Sequence, residues 1–116
     1  MHPRSEEVLD YLDQTRSELR AAVDSVPSHA RNTRPSADRW SVAQVLDHLA
    51  IAHSRVAAGV RKWIAEAKAN GIAPETESST VLGTIPTERI LDRTQKVQAP
   101  ETLLPRSDVD CRNRLD

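Results

Sequence analysis

The side chains able to do chemistry are few and dispersed. There are four histidines, His2, His29, His48 and His53, one cysteine, Cys111, and an arginine group at Arg31, Arg34 and Arg39. A neutral imidazole can bind a metal ion or move a proton near neutral pH. Zinc centres take three or four protein donors, so spacing decides whether histidines can cooperate. His48 and His53 are five residues apart, which on a helix separates them by about 140°. They cannot share one ion from a regular helix. His29 falls in a connection and His2 at the chain start, and both read as solvated. Cys111 has no partner for an internal disulfide and reads as an exposed, unremarkable thiol. The arginines read as loop surface that could meet an anion. Ser41 is explained by helix capping rather than nucleophilic chemistry. No Ser-His-Asp order, glycine-rich phosphate loop or paired-carboxylate motif stands out.

The element that must position His48 runs from Trp40 to Gly71. Ser41 and Gln44 have the spacing of a capping box, with Trp40 and Val45 placed to form a hydrophobic staple. Asn70-Gly71 supplies a left-handed stop, Pro74 prevents continuation, and Lys68 suits the negative end of the helix dipole. The spacing therefore predicts a helix over about 41–69. Its apolar positions are Val42, Val45, Leu49, Ala52, Val56, Val60, Trp63 and Ala67, a single stripe at 100° per residue, widened by Leu46, Ala57 and Ile64. Asp47, Arg55, Arg61, Lys62 and Glu66 fall mostly away from its centre. His48 lies on the flank, roughly 90° from the centre, and reads as a boundary histidine. His53 falls inside the stripe and reads as a buried or interface histidine with one hydrogen-bond partner.

An earlier stripe, Val8, Leu12, Thr15, Leu19, Ala22 and Val26, predicts a first helix over about 5–26. Ser5 is its expected N-cap, and Pro27 ends it. Residues 27–39 make a turn-rich connection, so the two helices read as an antiparallel pair with both stripes facing one core. Residues 71–105 read as a long loop or extended stretch, with weak helical turns over 87–97 and breaks at Pro100 and Pro105. Residues 106–116 read as a frayed tail. The expected fold is all-α in a single domain, residues 1–105.

At 116 residues and a net charge of −1, with two tryptophans, one tyrosine and no phenylalanine, the chain has neither a basic stripe nor stacking platforms for nucleic acid. No apolar run approaches the roughly 20 residues of a membrane span. Glu6, Glu7 and Asp10 occupy the place of a signal peptide's apolar segment, which points to the cytosol. Two helices cannot cover both sides of their stripes by themselves. Further helices, or a homodimer formed through the apolar faces, must do so.

Arg34-Pro35 followed by Trp40-Ser41-Val42-Ala43-Gln44-Val45-Leu46-Asp47-His48-Leu49-Ala50 resembles the second-helix signature of the DinB/YfiT-like superfamily. The resemblance implies an up-and-down four-helix bundle with a long crossover. It also implies a divalent metal, zinc or nickel, held by three histidines in full-length relatives, some of which use low-molecular-weight thiols as cosubstrates. Only His48 matches a ligand position. The H-x-x-x-H pair of the family's last long helix has no counterpart, and the chain stops where a third helix is expected. The resemblance therefore implies a shortened domain that binds no metal and is inactive alone unless another subunit supplies ligands. The alternative is a non-catalytic helical module that completes a bundle by homodimerisation.

Overall fold

The computed structural model describes residues 1–106. Cys111 and most of the expected tail, residues 107–116, lie outside the described residues. Every regular element among those described is helical. Two helices are long: α1, Pro3–Asp24, and α2, Val42–Ala69. A third, α3 at Thr87–Ile90, is a single turn, and 3-10 turns occupy Ser28–Ala30, Leu82–Thr84 and Glu101–Leu103. No helix among these residues is long and apolar enough to cross a membrane.

The first helix starts two residues earlier than its stripe predicts. Its cap is His2, not Ser5. The His2 Nδ1 accepts from the Arg4 amide at 3.2 Å, and Pro3 occupies the first helical position. Proline suits that place because its missing N–H would lack an intrahelical partner anyway. His2, expected to be solvated, is thus half-buried in a capping role. The helix ends at Asp24 rather than Val26, because Pro27 disfavours helical geometry in the residue before it.

Both ends of α2 form as the sequence predicts. The Gln44 amide donates to Ser41 Oγ at 3.1 Å, and the Ser41 amide donates to Gln44 Oε1 at 2.9 Å. At the other end Gly71 takes a φ of 65°. The Ile72 amide then reaches back to the Ala67 carbonyl and the Gly71 amide to Lys68. That pair of bonds is a Schellman stop, which requires the left-handed residue that glycine adopts without penalty.

The two long helices run antiparallel. Arg4 at the start of α1 meets Glu75, just beyond the end of α2, at 3.1 Å. Glu7 accepts from the Thr80 hydroxyl and from the Val81 amide, the latter at 2.8 Å. Near the connection the Ala43 amide donates to the Arg31 carbonyl at 3.0 Å, and Arg31 Nε donates to the Val26 carbonyl at 3.1 Å. The core is small and lies at this end: Val23 and Leu46, with Leu19 and Val42 against them.

The shared-core expectation holds only at the connection end, where each helix gives one stripe residue, Leu19 and Val42, and one from the stripe's margin, Val23 and Leu46. Leu19 and Val23 come from the first stripe and its margin. Against them α2 sets Val42 and Leu46, together with a fully buried Ala43. On the helix Leu46 and Ala43 lie about 80° and 140° from the centre of the predicted stripe. The capping box and the Arg31–Ala43 bond fix how the first turn of α2 meets the end of α1, and that fixes the rotation of the whole helix. The stripe is left facing outward, with Val56 at 63% exposure and Trp63 at 66%.

Candidate functional site

His48 sits in the second turn of α2, held by groups on both sides. Its Nδ1 lies 2.5 Å from the Leu103 carbonyl oxygen. A carbonyl only accepts, so Nδ1 carries the proton, and in the neutral ring Nε2 keeps its lone pair. The Trp40 ring lies against the imidazole, with centroids 5.1 Å apart and planes tilted by 47°. Trp40, expected to staple Val45, thus packs on His48, while Val45 and Trp40 share the wall of one open cleft. The cleft has a volume of about 810 Å³ and runs between the start of α2 and residues 97–104, with Asp38 and Arg39 at its rim.

The far wall is a strap made of the Glu101–Leu103 turn and the three residues after it. Pro100 and Pro105 keep it from becoming a helix. Two consecutive residues of α2 anchor it. His48 holds Leu103, and Asp47 accepts from the Arg106 amide at 2.6 Å. Asp47 is 2% exposed. It lies off the apolar stripe, as its position implies, yet it is buried because the strap covers it. A buried carboxylate is tolerable here because the Arg106 backbone N–H donates to it. Arg106, expected in the frayed tail, is instead tied to the helix.

The loop before α2 is ordered by its own side chains. Arg34 donates through Nε to the Arg39 carbonyl at 2.9 Å and through Nη2 to the Ala37 carbonyl at 2.5 Å. Ser36 Oγ donates to Asp38 at 2.5 Å, and this bond, with nearby backbone and arginine charges, holds the Asp38 carboxyl below the usual aspartate range. The arginines do not gather around one point. Arg31 works on the backbone of the connection and on Asp24, Arg34 on its own loop, and Arg39 on the cleft rim.

Of the two expectations for His53, buried or at an interface, burial within the chain fails: the residue is exposed. The outward rotation of that stripe is the reason. It borders a second open cleft of about 630 Å³ with Ser54, Arg55 and Arg106. His29 is exposed, as expected. The strap anchors Asp47, Leu103 and Arg106 were missed by sequence reasoning. No periodic signal marks them, since the paired residues are 55 and 59 positions apart.

These contacts orient His48 as a metal-binding imidazole is commonly oriented, with one ring N–H on a backbone carbonyl and the other nitrogen available. One donor does not make a centre. No group of three His, Cys, Asp or Glu residues is placed to hold a metal among the described residues. The described residues therefore do not fit a complete metal site.

Neither a curated protein nor a solved structure matches the chain. The sequence pattern of the DinB superfamily does, over residues 11–106. That interval contains the second part of α1 from Tyr11 onward, the whole of α2, the cleft and the strap up to its last anchor. With most of its length matched, this chain belongs to the DinB superfamily.

Proposed function

We propose that this chain is a DinB-type helical module without activity of its own, in which His48 keeps the place and orientation of a ligand imidazole. One observation carries the reading: Nδ1 of His48 is bound to the Leu103 carbonyl, while no group of three His, Cys, Asp or Glu residues is placed to hold a metal among the described residues. In this chain the imidazole serves the cleft instead. It pins the strap, and Trp40 covers one face of its ring. A zinc or nickel ion, or a low-molecular-weight thiol acting through one, would need donors from beyond the described residues. The resemblance that suggests them extends to the first histidine alone.

Metal content after dialysis tests this reading. Purified chain exposed to zinc or nickel and then dialysed is expected to retain well under one ion per chain, with no difference in His48→Ala. A stoichiometric ion that disappears in His48→Ala would overturn it. Nitrogen-detected NMR of the ring supplies an independent check, with the Nδ1–H tautomer expected.

A further inference from the structure

We infer that Asn70, at the stop of α2, is a site of spontaneous covalent modification. Its side-chain amide is lost through a cyclic imide formed with Gly71, and the change loosens the far end of the hairpin. Of the three asparagines, Asn32 precedes Thr33, Asn113 precedes Arg114, and Asn70 alone precedes glycine. Glycine has no Cβ to shield its amide nitrogen, which is the attacking atom, and its backbone turns freely enough to bring that atom round. The surroundings are open as well. Asn70 and Gly71 are both exposed, and no atom lies within 4 Å of where a Gly71 Cβ would stand.

The bonds balance with water as the only co-reactant. The Gly71 nitrogen gives its proton to solvent and bonds to Cγ of Asn70, and ammonia leaves from that carbon. Water then opens the ring. Attack at Cγ gives aspartate. Attack at the former backbone carbonyl gives isoaspartate, in which the main chain runs through Cβ and Cγ. The native stop restrains the first step. Asn70 holds a φ of −87° and a ψ of 0°, which turns the Gly71 nitrogen away from the side chain, and that nitrogen donates to the Lys68 carbonyl at 3.3 Å. The restraint is slight. It consists of that long bond and the 3.1 Å bond from the Ile72 amide to the Ala67 carbonyl, at the end of a half-helix whose side chains are nearly all exposed. Such helix ends open locally at low cost, so ring closure proceeds in the folded chain whenever the last turn unwinds. Both products weaken the stop. Either adds a carboxylate where the helix dipole is negative, and isoaspartate also inserts one main-chain carbon ahead of the Gly71 and Ile72 amides. The segment that follows carries Glu75, paired with Arg4, and Thr80 and Val81, which donate to Glu7. Those ties are what the change reaches.

Incubation of the full chain in warm, mildly alkaline buffer, followed by peptide mapping in a mass spectrometer, tests the site. A gain of one mass unit is expected at Asn70, roughly tenfold or more faster than at Asn32, whose following residue is β-branched. The product should separate into two isomers, one of them methylated by an isoaspartyl-specific methyltransferase. Asn70→Gln, whose longer side chain would have to close a larger ring, should show no conversion at that position. In the isoaspartyl chain the Val81 amide should lose protection against hydrogen exchange while the Gln44 amide keeps its own. Conversion at Asn70 no faster than at Asn32 would overturn the inference. So would a product without isoaspartate, or an isoaspartyl chain with unchanged protection at Val81.

Discussion

The two halves of α2 differ more than any other neighbouring parts of the molecule. Residues 42–52 are capped by Ser41, pressed onto Val23 through Leu46 and tied to the strap through Asp47 and His48. From His53 to Ala69 the helix is as regular, but nearly every side chain is exposed. Local helix signals are equally strong in both halves, so they do not explain the difference. Polar anchors do. Wherever a side chain of α2 meets a backbone group from elsewhere in the chain, the helix is covered, and where none does, its apolar residues stand in water.

That contrast can be broken at several points. The largest effect is expected from Leu46→Ala, which empties the centre of a small core and should cost about 2–5 kcal/mol in urea unfolding. Trp63→Ala should change stability by less than about 0.5 kcal/mol in the same assay. Similar losses from the two substitutions would erase the distinction between the halves.

Asp47→Ala comes next. It strips the Arg106 amide of its acceptor and should cost about 1–3 kcal/mol. Amide exchange at Arg106 should accelerate in that variant while Gln44 stays protected. Ser41→Ala removes one side of the capping box and should cost about 1 kcal/mol, read as a lowered thermal midpoint. If it proves neutral, the covered half of α2 owes its order to the strap alone.

The smallest effect is a pH dependence at the far end of the hairpin. The Thr80 hydroxyl, then the Val81 amide, hold the Glu7 carboxyl below its ordinary value. The folded pKa is depressed, so this contribution is complete above the unfolded value and fades as pH falls through the folded one. Protection of the Val81 amide, measured against its intrinsic exchange rate, should therefore fall once the pH drops below the ordinary glutamate range. The Gln44 amide, capped by a serine that does not titrate, should show no such change.

Much of the fold is legible in the residues because its causes are local. Ser41 and Gln44 are three positions apart, and Asn70-Gly71 needs only its own backbone to stop the helix. The start of α1 is less legible, since Ser5 and His2 are both able to cap and only the position of Pro3 favours the earlier one. The candidate site was half legible. His48 stands out through the motif around it, whereas its partners do not. A bond from Nδ1 to the Leu103 carbonyl uses a backbone group that every residue possesses, so no side-chain pattern announces it. Asp47 shows the same thing for burial: its angular position is away from the stripe, and a segment almost sixty residues later covers it.

Chain composition, periodicity and capping residues by themselves determined that this protein is helical and where α2 begins and ends, and the resemblance carried by the motif around His48 singled that residue out. Those properties depend on neighbours within a few residues. Tertiary structure alone decided which face of α2 meets α1, what buries Asp47, and why His53 and Trp63 are exposed. The rotation of a helix about its own axis costs nothing locally. It is set by a handful of bonds to distant backbone, and here they turn the most apolar stripe outward.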